Sequence, residues 1–265
     1  SSDLHPDFCG PRWWRDMDII LEEAKALSMK VWILDDSHFP TGYANGAVVG
    51  KPKELRRQSL ARLSMEISGN GKEQTIDISK LLKKKVGKLN PMGKLMTGSS
   101  LKTDPHPPAD ELVGLIAYGP QNQVLDLTEY VGGGKLVWKV PAGKWQLVLI
   151  KRSWKLGPHP SYINMISQES CRILIDTVYE THYAHYKDEF GKTIAGFFSD
   201  EPELGNGVYF KNDLNIGQDH DLPWSREMES LLPTMMGSDW KEKLPLIWDN
   251  SAETEKSSAE AKCIF

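Results

Sequence analysis

The sequence has little cysteine, no strong charge of either sign and no long apolar run, and each shortage narrows the field. Cys9, Cys171 and Cys263 are odd in number and far apart, which argues against a disulfide scaffold and against a CxxC-type zinc site. A formal net charge of -4 gives no reason to expect nucleic acid or an anionic membrane as a partner. No apolar stretch approaches the roughly 20 residues that span a bilayer. No signal peptide is visible at the opening Ser1-Ser-Asp-Leu-His-Pro, although a mature start can hide one. The 265 residues suffice for one barrel or two ordinary domains. Tryptophan is plentiful at nine residues, as sugar-stacking platforms and Trp-rich cores both require.

The stretch Thr193-Ile-Ala-Gly-Phe-Phe-Ser-Asp-Glu-Pro-Glu203 organises the rest. Apolar and small residues run straight into acids, the pattern of a short strand buried on both faces, and Pro202 stops further pairing. Before it, residues 168–190 read as a long helix closed by Gly191. The N-terminal region repeats this order. Residues 13–28 carry Met17, Ile20, Leu21, Ala24 and Leu27 at helical spacing. Lys30-Val-Trp-Ile-Leu34 then reads as a strand that ends in Asp35, Asp36 and His38. Two helix–strand units, each ending in acids, predict a barrel or an open parallel sheet with both acidic ends on one side.

Between these units the periodicity changes. Segments 60–67, 112–118, 135–140 and 145–151 are short, apolar or alternating, and separated by Gly/Pro turns. Leu81 to Pro108 is rich in Lys, Gly, Pro and Ser and reads as a mobile loop. The expected organisation is a first barrel segment over 1–54, an inserted β-sandwich-like domain over 55–157, and a second barrel segment over 158–265. The last of these should hold a helix from Ser225 to Leu232 and a polar stretch from Ser251 to Lys262. The α/β portion, about 160 residues, is short of the roughly 250 of a closed eight-fold barrel. Further barrel segments are therefore expected from a longer chain, with Val31, Ile33, Ile194 and Phe198 thinly covered without them.

The candidate chemistry lies at the strand ends. Glu201 is the candidate general acid, since Asp200 and Glu203 crowd it and like charge raises a carboxyl pKa. A solvated acidic turn is the competing reading. Asp35, Asp36 and His38, with Tyr43 as an apolar wall, could hold sugar hydroxyls, and carboxylates could hold calcium. Equally, an aspartate there caps the next turn and Pro40-Thr-Gly42 is a tight turn. His182 and His185, with Asp188 and Glu189 one turn on, form a weak zinc pattern that would suit a metal-dependent hydrolase. His5 and His159 flank the α/β segments and read as surface residues.

Taken together, Trp13-Trp-Arg-Asp-Met-Asp, Ala24-Lys-Ala-Leu-Ser-Met-Lys-Val-Trp-Ile-Leu-Asp-Asp, Phe39-Pro-Thr-Gly-Tyr-Ala-Asn-Gly46 and Phe190-Gly-Lys-Thr-Ile-Ala-Gly-Phe-Phe-Ser-Asp-Glu-Pro resemble large bacterial glycoside hydrolases of the α-L-rhamnosidase type (glycoside hydrolase family 106 and relatives). The resemblance implies a partial (β/α)8 TIM-type barrel with an inserted all-β domain, and an inverting, calcium-assisted hydrolase of α-L-rhamnosides or related plant or bacterial glycans. It implies catalytic roles for Glu201 and Asp200, with a second carboxylate on a later barrel strand. It implies carbohydrate contacts for Asp35, Asp36, His38, Tyr43 and Glu203, and a periplasmic or secreted setting. The alternative is a non-catalytic carbohydrate-binding module built on the β insert.

Overall fold

The structure, a computed structural model, describes residues 5–84, 107–155, 161–204, 222–248 and 260–261. Most of the loop expected over 81–108, His159, Cys263 and most of the stretch over 251–262 lie outside the described residues. The chain divides into two compact units. Among the described residues the first takes in 5–57 and 161–204, and the second takes in the remainder.

In the first unit, helix α1 (Pro11–Ala26) begins with proline at its first turn, where a missing N–H costs nothing. The Asp7 carboxylate accepts the Arg12 N–H at 2.8 Å, a local cap. The helix buries Met17, Leu21 and Ala24, whereas Ile20 and Leu27, expected on the same face, are exposed. Strand β1 (Val31–Leu34) follows. After the second unit's first stretch of chain come helix α3 (Gln168–Leu174), a π-helical turn at Ile175–Tyr179, helix α4 (Glu180–Tyr186) and strand β9 (Ile194–Phe198). Ser167 caps α3 by accepting the Ser170 N–H. The helical run thus ends at Tyr186, earlier than the expected Phe190.

β1 pairs with β9 in parallel, Val31 opposite Ile194 and Leu34 opposite Phe198. One face of this two-stranded sheet packs Ile33 and Ile194 against Met17, Leu21 and Tyr186. The other leaves Trp32 63% and Phe198 53% exposed. The thin coverage expected of four residues therefore applies to Phe198, but not to Ile33 or Ile194. Among the described residues the parallel sheet has two strands.

The second unit is built on β2 (Ser59–Gly69), β3 (Glu73–Asp77), helix α2 (Ile78–Leu82), β4 (Glu111–Tyr118), β5 (Val124–Asp126), β6 (Val131–Gly132), β7 (Lys135–Lys139), β8 (Gly143–Ser153), β10 (Leu222–Pro223), helix α5 (Arg226–Met236) and helix α6 (Trp240–Lys243). Five strands form an antiparallel sheet in the order β10-β2-β8-β4-β5, and three form a second sheet in the order β3-β7-β6. Leu115, Ala117, Trp145, Leu147 and Leu149 of the larger sheet pack with Leu136, Trp138 and Ile78 of the smaller layer. Residues 222–248, which the sequence pattern assigns to the α/β portion, belong instead to the five-stranded sheet, where Leu222–Pro223 forms the edge strand β10 and the residues after it cover the opposite face. There Trp224, Leu232, Met236, Trp240, Leu244 and Ile247 cover Leu60, Val113, Val148 and Ile150. The reason is physical, since β8 carries apolar side chains on both faces and an uncovered face would stay in water. Among the described residues no helix is long and apolar enough to cross a membrane.

One charge lies inside this unit. Lys151 continues the face of Trp145, Leu147 and Leu149, and its ammonium donates to the Leu82 carbonyl (2.7 Å), the Lys84 carbonyl (2.8 Å) and Asp110 Oδ2 (2.6 Å). All three protons are used. Lys151→Met is expected to destabilise the protein by about 3 kcal/mol, because it leaves the Asp110 carboxylate, 9% exposed, without its closest cation. Urea unfolding followed by tryptophan fluorescence checks this; a loss under about 1 kcal/mol would show that Lys155, 3.6 Å from Asp110, takes over the pairing.

Candidate active site

Because β1 and β9 are parallel, the residues after each emerge at the same end of the sheet. The Asp35 N–H donates to the Phe198 carbonyl at 3.1 Å and carries the ladder one step past the strand. The chain then folds around Asp36, whose carboxylate accepts the N–H groups of Ser37 (2.7 Å), Gly42 (2.9 Å), Ala44 (2.7 Å) and Asn45 (2.8 Å). A carboxylate has about four lone-pair sites, so this set fills it. Burial pushes the Asp36 carboxyl above its ordinary range, against the pull of those N–H groups. Gly42 is required where it stands: its φ is +142°, and a Cβ there would lie 2.0 Å from the Tyr162 ring.

Thr41 ties the two strand ends together. Its hydroxyl donates to Asp35 Oδ1 at 2.5 Å and accepts the Asp200 N–H at 3.0 Å. Its own N–H donates to the Asp200 carbonyl at 2.9 Å. Its carbonyl accepts the Tyr162 hydroxyl, which in turn accepts the Glu203 N–H at 3.0 Å. The second Asp35 oxygen accepts the Tyr179 hydroxyl, delivered by the π-helical turn. Burial, then this bond to Asp35, pushes the Tyr179 phenol upward, and burial does the same for Tyr43 and Tyr162.

The expected site residues therefore separate by environment. Asp35, Asp36, His38, Tyr43 and Glu203 are buried at one end of the sheet. Asp200 is half-buried. Glu201 is exposed, and its φ of +42° reverses the chain between Asp200 and Pro202. Glu203 is 2% exposed, with Arg57 Nη2 3.7 Å from its Oε1. Asp35 and Asp36 are bonded to the protein's own donors, and Asp36 organises its turn, the plainer of the two readings open to it.

His182 and His185 do not make a metal pair. His182 is fully buried; its Nδ1 bonds the Val178 carbonyl (2.7 Å) and its Nε2 accepts the Trp13 indole N–H (2.8 Å). Phe8, Trp13, Trp14 and Phe197 surround the ring at centroid distances of 5.1–5.7 Å. His185 Nδ1 bonds the Thr181 carbonyl, and its ring stacks on Trp14 at 3.8 Å. Cys9, 4.0 Å from His182, is held as a thiol by burial, its pKa pushed up to about 12. Among the described residues no three His, Cys, Asp or Glu side chains are grouped to hold a metal ion, and the filled sphere of Asp36 does not fit calcium.

Thr41, Arg57, Tyr162 and Tyr179 belong to this site without being singled out by sequence reasoning. Only Thr41 carries a local signal, the Pro-Thr-Gly turn; the other three arrive from distant segments. No family model, no curated protein and no solved structure matches this chain.

Two outcomes are expected. Thr41→Val keeps the shape but removes the hydroxyl, so Asp35 and the Asp200 N–H each lose a partner. A destabilisation of about 2 kcal/mol in chemical unfolding is expected, with Thr41→Ser close to wild type; equal stability of the Val and Ser variants would refute the tie. Burial lowers the His182 pKa. Its contribution to stability is therefore fully present above the unfolded imidazole value of about 6.5 and is lost as pH falls below it. Unfolding free energies measured from about pH 7.5 to 5 should fall more steeply for wild type than for His182→Gln, and parallel curves would overturn the assignment.

Proposed function

We propose that these strand ends form the acid site of a glycoside hydrolase acting on α-L-rhamnosides or related plant or bacterial glycans. The observation that carries the reading is the parallel pairing of β1 with β9, which brings the Asp35–Tyr43 and Asp200–Glu203 segments to one end of one sheet, held together through Thr41. The C-terminal ends of parallel strands are where barrel enzymes place their chemistry. The motif resemblance supports the same reading and suggests that the pair belongs to a (β/α) barrel interrupted by the β domain.

In this reading Glu201 is the proton donor to the leaving oxygen, since its exposed carboxyl is accessible to a substrate. Glu203, buried beside the Arg57 guanidinium, is a positioning residue for the loop that carries Asp200 and Glu201.

The test is turnover of an aryl α-L-rhamnoside by the full chain and two isosteric variants. Glu201→Gln is expected to lower kcat by about a hundredfold or more with stability unchanged. Glu203→Gln is expected to lower stability as well, because the buried Arg57 guanidinium loses the charge that faces it. Near-wild-type turnover by Glu201→Gln would remove Glu201 from the mechanism. Sugar binding without turnover, indifferent to both substitutions, would shift the function to a binding module on the second unit.

A further inference from the structure

Glu201 stands in the left-handed region at φ +42°, a costly conformation for a residue with a side chain, so the surrounding structure must hold it there. It is pinned on both sides. Thr41 accepts the Asp200 N–H on its hydroxyl (3.0 Å) and donates its own N–H to the Asp200 carbonyl (2.9 Å). The Tyr162 hydroxyl accepts the Glu203 N–H at 3.0 Å and donates to the Thr41 carbonyl. Thr41 takes part in each of these pins, directly or through Tyr162. Its backbone groups are fixed by the chain, whereas its hydroxyl proton rotates to suit its partners.

That hydroxyl has a single proton. It is given to Asp35 Oδ1 at 2.5 Å, which leaves the oxygen's lone pairs for the Asp200 N–H. Asp35 therefore sets the orientation of the hydroxyl. Asp35 is itself fully buried, and its other carboxyl oxygen accepts the Tyr179 hydroxyl. A donor on each oxygen fixes the plane of the carboxyl group; with one donor alone the group turns about its own bond. Tyr179 comes from the π-helical turn Ile175–Tyr179, and its ring packs on Phe197 of β9 with centroids 4.4 Å apart. His182 Nδ1 holds that turn through the Val178 carbonyl at 2.7 Å. Such turns are frequent at functional sites.

We propose that Tyr179 is a positioning residue for Glu201, acting through Asp35 and Thr41 on the Asp200 N–H. This rests on the reading of Glu201 as the proton donor. Tyr179 touches no reacting atom in this role. A proton donor displaced by about an ångström loses rate while substrate is still bound, so the Tyr179 hydroxyl acts on kcat rather than on KM.

The test compares the full chain with Tyr179→Phe, which keeps the ring against Phe197 and removes the hydroxyl. Amide hydrogen exchange is followed by NMR. The Val31 amide, bonded to the Thr193 carbonyl at the far end of the sheet, is the internal control. Tyr179→Phe should speed exchange at Asp200 by about tenfold and leave Val31 unchanged. In a Thr41→Val background the same substitution should add nothing at Asp200, because the path runs through that hydroxyl. With an aryl α-L-rhamnoside, Tyr179→Phe should lower kcat by about tenfold and keep KM within about twofold of wild type. Equal acceleration at Asp200 and Val31, which a merely structural role produces, would overturn the proposal, as would additive effects of the two substitutions. The wild type is decisive even if no variant folds, since an Asp200 amide that exchanges like an unprotected loop amide breaks the path. The two readings fail separately. Selective loosening at Asp200 without rhamnoside turnover by the wild type keeps the positioning of Glu201 and loses the hydrolase, whereas turnover that Tyr179→Phe leaves unchanged keeps the hydrolase and loses this inference.

Discussion

The first unit depends on satisfying two aspartates taken out of water side by side. Removing a carboxylate from solvent costs several kcal/mol unless donors replace the water. Asp35 and Asp36 are both buried, and the fold answers with two hydroxyls for one and four backbone N–H groups for the other. Four N–H groups from positions 37, 42, 44 and 45 can converge on one carboxylate only if the chain wraps it. The wrapping dictates the left-handed residues at Ala44 and Asn45 and the close pass of Tyr162 over Gly42. The loop shape follows from Asp36, and the join to β9 follows from Asp35 through Thr41.

That join explains how a two-stranded parallel sheet stands with one apolar face open. Parallel pairs lack a hairpin to hold their register and are ordinarily buried on both faces. Here the register is pinned at both ends. Thr41 and Asp200 exchange bonds after the strands, and before them the Val31 N–H donates to the Thr193 carbonyl while Lys25 pairs with Glu189. His182 adds a fixed point behind the sheet, because both its nitrogens are bonded within an aromatic cage. The second unit solves a different problem. Its five-stranded sheet is apolar on both faces and is covered on one by the small sheet and on the other by tryptophan-bearing helices.

Much of this arrangement is legible in the sequence, and the losses have definite causes. The helix–strand order ending in acids is a local pattern, and so are the alternating segments bounded by Gly/Pro turns; β1, β9, β2, β4, β7 and β8 all coincide with segments that read as strands. Residues 222–248 escape such a reading because Trp224, Trp240 and Trp248 show no periodicity that names the sheet they cover. The π-helical turn that aims Tyr179 at Asp35 leaves no trace in an otherwise regular helical pattern. Spacing places Asp200, Glu201 and Glu203 together but cannot say which is buried, since that depends on the positive φ at Glu201, which no adjacent glycine announces.

The division of labour among these acids is the step that joins structure to chemistry. A carboxylate already bonded to four donors cannot exchange them for a ligand without unfolding its loop, so Asp36 serves the site by shaping it. Asp35 is similarly committed. Glu203 lies with Arg57 Nη2 3.7 Å from its Oε1, which suits it to holding a loop. Glu201 is exposed and followed by a proline that offers no N–H, and under the proposed function it is the acid left open to a bound molecule. Among the described residues the buried acids at this end of the sheet are held by the protein's own donors or face a guanidinium, which under the proposed function leaves the reacting role to the exposed one.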